Sequence, residues 1–326
     1  MAQHVLPFEK EIYAMEGLLA TLEAKAAEGE GSAAEEVRRM RKELANVTKK
    51  IYANLTPWDV ITISRHPNRP QTCDYLQMIF SDFTELHGDR AIGDDRAMRT
   101  GMARLGDYKV MVIGHQKGHT LKERNECLYG CAHPEGYRKA LKNMKMAAKF
   151  NIPVICFIDT PGAYPGIGAE ERGQAQLIAT SLLEMSRIPT PIVCVVIGEG
   201  GSGGALGIGI GDRVSMCEFA YYSVISPEGC AGILWKEANE QTKRLAAEAL
   251  KLTSRDLHKL GVIDEVIPEP LGGAHRDPVA MGNTMKAHLL RYLRELTPLP
   301  IDKLLDGRYE KFRKMGVYED SMAESA

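Results

Sequence analysis

The stretch Val-Ile-Gly-Glu-Gly-Gly-Ser-Gly-Gly-Ala-Leu-Gly-Ile-Gly-Ile-Gly at residues 196–211 follows an apolar run, 191–197, that reads as a buried strand. Paired glycines stand where a helix should begin. Backbone N–H groups at a helix start, with no Cβ in the way, are the usual material of a site that holds developing negative charge. The run lacks the Lys and Ser/Thr of a phosphate-binding P-loop: counting from Gly198, Gly204 and Ala205 occupy those places. Read as a dinucleotide fingerprint, the run lies late in the chain, and no acidic residue about 20 positions on ends a clean second strand.

Working outward, short apolar runs alternate with helical periods. Residues 109–114 and 153–159 read as strands, and Tyr137, Leu141, Met144 and Ala148 repeat at helical spacing between them. A helix is expected over 170–187, and the glycine run then opens the next one. Further on, 213–219 reads as a strand, 237–251 as a helix, 254–261 as a helix ending in Gly, and 262–267 as a strand. This is repeated β–α crossover, an α/β fold. Residues 8–55 are rich in Ala, Glu, Lys, Arg and Leu, broken at 28–32, and read as two helices joined by a turn. The last residues, 318–326, read as a frayed tail.

In open α/β sheets ligands gather beyond the C-terminal ends of the strands. Two such ends carry unusual loops here: 159–166, Asp-Thr-Pro-Gly-Ala-Tyr-Pro-Gly, and the glycine run. Side by side they would form a cleft floored by backbone amides, with Pro161, Gly162, Ala163, Tyr164, Gly200 and Gly201 against the substrate. Asp159 reads as a turn or cap residue. In Gly-His-Gln-Lys-Gly at 114–118, Lys117 is a candidate contact for an anionic ligand and His115 reads as structural. Pro227 and Glu228 start a helix, which makes Glu228 either a general base or a first-turn acid favoured by the helix dipole. Residues 200–204 match G-x-S-x-G at Ser202, but no acid and His follow in recognisable context.

The 326 residues carry 41 basic and 43 acidic side chains, a balance that gives no reason to expect nucleic acid or an anionic membrane as partner. No run is long enough for a membrane span and the N-terminus lacks the form of a secretion signal, so a cytoplasmic location is expected. The seven cysteines are odd in number and fall mostly in apolar runs, so neither disulfides nor a metal site is expected.

Segments 157–174, 196–206 and 222–231 closely resemble the carboxyltransferase alpha subunit of bacterial-type acetyl-CoA carboxylase, as do 114–118, 134–140 and 267–276. The likeness runs from about residue 5 to 315. It implies a crotonase-like (ClpP/crotonase) fold of repeated β-β-α units, with a helical arm over 1–35, a carboxyltransferase domain over 36–297 and a C-terminal segment over 298–326. It implies carboxyl transfer from carboxybiotin on a biotin carboxyl carrier protein to acetyl-CoA, giving malonyl-CoA for fatty acid synthesis. No cofactor would be bound covalently in this chain. A beta subunit, in an alpha2beta2 assembly, would carry the zinc, and a separate biotin carboxylase would use the ATP. By motif position Gly203 and Gly204 resemble the pair whose amides serve the biotin ureido oxygen. A crotonase-type enoyl-CoA hydratase or isomerase using Glu228, and a scaffold subunit without catalysis, are the alternatives.

Overall fold

A computed structural model gives the fold and describes residues 4–28 and 33–317. One mixed sheet organises it, built from β1 (Ser81–Glu85), β2 (Met98–Leu105), β3 (Tyr108–His115), β4 (Val154–Thr160), β5 (Ile192–Gly201), β6 (Arg213–Cys217), β7 (Tyr221–Ser223) and β8 (Glu265–Ile267). The order is β1-β2-β3-β4-β5-β6-β8, and β7 pairs with the far end of β5. The strands from β3 onward are parallel, while β1, β2 and β3 are antiparallel neighbours. Gly106, at φ +57°, makes the tight turn between β2 and β3 that a side chain would resist.

Every residue of β4 and β5 is buried, as a parallel strand covered on both faces must be, which is why these two read as unbroken apolar runs. Pro134–Lys149 packs over β2 and β3 and against Gln174–Met185, and Thr72–Ile79 packs with Pro278–Leu296. Tyr75 stacks on Phe157 of β4 with ring centroids 5.4 Å apart.

Two attachments hold the ends of the chain to this body. Glu9 is fully buried and accepts from the Leu6 N–H, the Tyr52 hydroxyl and His275. Arg308 of the helix Ile301–Arg313 is buried against Asp212 and donates to the carbonyls of Met185, Ile188 and Thr190. Arg276 at 3.4 Å from Glu9 and Asp212 at 2.7 Å from Arg308 supply the opposite charges, the condition for burying a charge at all.

The structure departs from the sequence expectations in four places. β5 does not stop at 197 but continues through the glycines to Gly201, and only then does the short helix Ser202–Leu206 begin. The single helix expected over 170–187 is two, Ile167–Glu171 and Gln174–Met185, divided at Gly173 with φ +83°. The strand expected over 262–267 is only Glu265–Ile267. Lys10–Ala27 and Ala33–Ala53 pack as the expected helix pair, but residue 35 falls inside the second of them. Most of the 28–32 break and the tail at 318–326 lie outside the described residues.

Candidate active site

The glycine turn is shaped by what its neighbours leave no room for. A Cβ on Gly200 would fall 2.8 Å from the Tyr222 ring, one on Gly201 would fall 2.1 Å from the Pro161 carbonyl oxygen, and one on Gly204 would fall 2.5 Å from the Ala163 nitrogen. Gly201 and Gly204 let β5 and the helix after it lie directly on the 161–163 loop, and Gly200 lets Tyr222 of β7 close on β5. That loop is fixed in turn: the Gly162 N–H donates to Thr160 Oγ1, the Tyr164 N–H donates to the Ala132 carbonyl, and the Tyr164 ring stacks on His133 at 4.2 Å. Gly203 differs, because the nearest atom to its Cβ would be Ile178 Cδ1 at 3.5 Å, an ordinary contact. No side chain caps the Ser202–Leu206 helix. Its first-turn amides are therefore the kind of donor a ligand can use.

Two hollows flank this turn. An apolar groove of about 400 Å³ is lined by Ser202, Gly203, Leu206, Tyr222, Val224 and Phe312, among others. A charged hollow of about 460 Å³ is lined by Arg65, Lys117, Arg124, Tyr129, Pro161 and Glu199, among others. Of the residues expected to meet substrate, Gly203 faces the groove and Lys117 and Pro161 face the charged hollow, while Gly201 and Gly204 touch the loop that contains Pro161, Gly162 and Ala163. Both volumes lie in the range of ligand sites. Ser202, at φ +51°, is exposed in the groove, and no histidine lines it there, so the G-x-S-x-G match lacks a base.

An ion-pair network underlies the turn. Lys117 bonds the carboxylates of both Asp159, at 2.7 Å, and Glu199. Glu199 also takes the Arg65 Nε at 2.7 Å and the Tyr221 hydroxyl at 2.9 Å. Burial pushes the Glu199 carboxyl upward, but Lys117 and Arg65 outweigh it and hold it at about 2. Burial raises Asp159, and Lys117 offsets only part of that. Asp159 is neither a turn nor a cap residue; it lies within β4, one residue before its end, and its carboxylate accepts the Glu199 N–H at 2.9 Å. His115 is buried and kept neutral, pushed down to about 3 by burial and the nearby Lys117.

Arg65 and Glu228 are delivered by capped helices. Thr56 and Asp59 form a reciprocal capping box at the start of Pro57–Ser64, which sets Arg65 at its C-terminal end. Ser226 caps Pro227–Leu234, which sets Glu228 in its first turn. The Arg65 guanidinium bridges Glu199 and Glu228, and against the upward push of burial it holds the Glu228 carboxyl below its ordinary range. A carboxylate held ionised by a guanidinium is a weak proton acceptor, which argues against Glu228 as general base. Sequence reading missed Arg65, Glu199 and Tyr221. Glu199 alone carried a signal, as a lone acid inside a glycine run that otherwise has no charge.

This sheet order sets the glycine turn beyond the C-terminal ends of the parallel strands, where α/β sheets hold their ligands. The chain belongs to the acetyl co-enzyme A carboxylase carboxyltransferase-like family, whose model matches residues 5–316. It is 58% identical over 318 residues to the acetyl-coenzyme A carboxylase carboxyl transferase subunit alpha of Rhodopirellula baltica, covering 98% of this chain and 99% of that protein. It is 51% identical over 315 residues to the subunit of the same name from Methylococcus capsulatus, covering 97% and 98%. Among solved structures it resembles transcarboxylase 12S, at a TM-score of 0.59 and 20% identity, over 75% of this chain and 44% of that one. It also resembles a chain of a Pseudomonas malonate decarboxylase hetero-tetramer solved with coenzyme A, at a TM-score of 0.54 and 18% identity, over 67% and 86%. These two likenesses establish the fold. Among the described residues no cluster of three or more His, Cys, Asp or Glu could hold a metal ion, and no helix is long and apolar enough to cross a membrane.

Proposed function

We propose that this chain is the alpha half of an acetyl-CoA carboxylase carboxyltransferase and that the amides of Gly203 and Gly204 hold the charge that develops on carboxybiotin as its carboxyl group leaves. The carrying observation is the empty space at Gly203. Packing explains why Gly201 and Gly204 have no side chain, but a Cβ at Gly203 would meet nothing closer than 3.5 Å. A helical glycine costs about 0.5–1 kcal/mol relative to alanine, so an unforced one supports close approach by a molecule from outside the chain.

The chemistry fits fixed amide donors. When the N–C bond of carboxybiotin breaks, its electron pair passes into the ureido group and charge gathers on the ureido oxygen. Donors already aimed there stabilise it without reorganising. The ureido nitrogen then takes a proton from the acetyl methyl group, and the resulting enolate attacks the released CO2 to give malonyl-CoA. No protein base is needed, in keeping with Glu228 being tied to Arg65. That pairing also disfavours the hydratase reading.

The family relatives are alpha subunits of a multi-subunit enzyme, and we assign the missing half of the site to a beta subunit that carries its own zinc and the donors for the enolate, in an alpha2beta2 assembly. Carboxybiotin would arrive on the carrier protein, charged by a separate ATP-using biotin carboxylase, in the cytoplasm. The test is the reverse reaction, malonyl-CoA plus a soluble biotin analogue giving acetyl-CoA. Turnover is expected only when this chain and a beta subunit are mixed. Turnover by this chain alone would overturn the two-subunit reading, and silence from an assembled complex would overturn carboxyl transfer.

A further inference from the structure

β4 and β5 pair regularly from Val154 opposite Ile192 to Ile158 opposite Val196, and then the register breaks. The next pair is Thr160 with Gly200, so a step of two residues along β4 is matched by a step of four along β5. This bulge covers residues 197–199. Bulges bend a strand and re-aim the residues beyond them. Beyond this one lies the glycine turn.

Two side chains hold the bulge. The Asp159 Oδ1 accepts the Glu199 N–H at 2.9 Å and lies so close to Gly198 that a Cβ there would fall 2.5 Å from it. Lys117 reaches the same Oδ1 at 2.7 Å and also bonds the Glu199 carboxylate. One ammonium thus ties the end of β4 to the carboxylate of the bulge. Its side chain is 15% exposed, and two carboxylates of its own chain hold its ammonium. The turn from 127 to 131 closes over it: a Cβ on Gly130 would fall 3.0 Å from Lys117 Cγ and 2.8 Å from the Asp159 carbonyl oxygen.

We infer that Lys117 is a positioning residue for carboxyl transfer: by neutralising Asp159 and Glu199 together it fixes the bulge of β5 from which the Gly203–Gly204 turn is suspended. This rests on the reading that the turn carries the reaction. Without Lys117, Glu199 keeps Arg65, but Asp159 becomes a buried carboxylate with no cation and repels Glu199. It must then take up a proton or be driven from its place. Either way the surplus charge is the fault, so removing that charge should mend it. A lysine that instead bound an anionic substrate could not be replaced in this way.

The experiment uses the assembled complex of this chain with its beta subunit and measures kcat and KM for malonyl-CoA and for a soluble biotin analogue between about pH 6 and 9. Lys117→Met is expected to lower kcat by about 30-fold or more at about pH 8, to recover part of it as the pH is lowered and protonation of Asp159 is favoured, and to change neither KM by more than about twofold. Adding Asp159→Asn keeps the acceptor for the Glu199 N–H and removes the charge. The double variant is expected to regain kcat to within about fivefold of the wild type and to lose the added pH dependence. A double variant as slow as the single one, or a loss carried by KM, would overturn the inference. If Lys117→Met does not assemble, the double variant decides alone: assembled and active it supports the inference, whereas inactive or unassembled it overturns it. Gly204→Val serves as the control for the turn. Full activity in that variant would remove the reading of the turn, whereas a failed rescue beside an inactive Gly204→Val removes only the role of Lys117.

Discussion

Gly204 rests on Ala163 so closely that a Cβ on the glycine would fall 2.5 Å from the alanine's nitrogen. That nitrogen is backbone and cannot rotate away. Gly204→Ala must therefore push the 161–163 loop and the glycine turn apart. Overpacking of this kind costs about 1–3 kcal/mol of stability. A displaced amide should add a loss of transfer near that of one missing oxyanion donor, about 10²–10³ in kcat. Gly203→Ala, with space for its methyl group, should instead stabilise the protein by about 0.5–1 kcal/mol while slowing transfer. Denaturant midpoints and kcat for the two variants together check the contrast.

Glu228→Gln should leave transfer within about tenfold of the wild type, because the carboxylate bonds Arg65 rather than acting on substrate. Arg65 would keep its contact with Glu199. An enzyme that used Glu228 as its acid–base group would lose several orders of magnitude and an ionisation from its pH–rate profile. The profile of kcat/KM for the variant, set against that of the parent, separates the two.

The strands and their loops were readable because β4 and β5 are covered on both faces and so keep unbroken apolar runs. β1 could not be read that way. It lies at the sheet edge with an exposed-to-intermediate pattern in Ser-Asp-Phe-Thr-Glu, which carries no clean alternation. The extension of β5 through Gly198, Gly200 and Gly201 was also hidden, since glycine ordinarily weakens a strand. Here it is required by Asp159, Tyr222 and Pro161, contacts made only after folding. The network around Glu199 joins Arg65, Lys117 and Tyr221, far apart in the chain and lacking any common motif. Spacing cannot announce such a set; only the crossover of the parallel strands assembles it.

Arg308→Met should destabilise the protein by about 3–5 kcal/mol, since it leaves the buried Asp212 carboxylate without its cation. The carbonyls of Met185, Ile188 and Thr190 lose a donor at the same time. Phe312, one turn further along the same helix, lines the groove with Gly203. A loosened helix should therefore also raise KM for the biotin analogue. Urea unfolding gives the first quantity and steady-state kinetics of the surviving complex the second. Unchanged stability would mean that the C-terminal helix is not anchored through Arg308.

Glu9 fastens the N-terminal segment to the body, and its ionisation sets how that fastening responds to acid. Burial opposes the charge, but the bonds from His275, Tyr52 and the Leu6 N–H outweigh it and bring the carboxyl from 4.5 down to about 2. A group depressed in the folded state stabilises it fully above the unfolded value and loses that contribution as pH falls toward the folded one. The difference corresponds to roughly 3 kcal/mol at neutral pH, fading below about pH 4.5. Glu9→Gln removes the charge but not the shape, so its melting temperature should lie well below that of the wild type at about pH 7. The gap should narrow steadily between about pH 4.5 and 3, as the wild-type carboxylate approaches its own protonation. A gap that stayed constant over that interval would show that the segment is held by packing around Tyr52 and Phe219 rather than by the charge of Glu9.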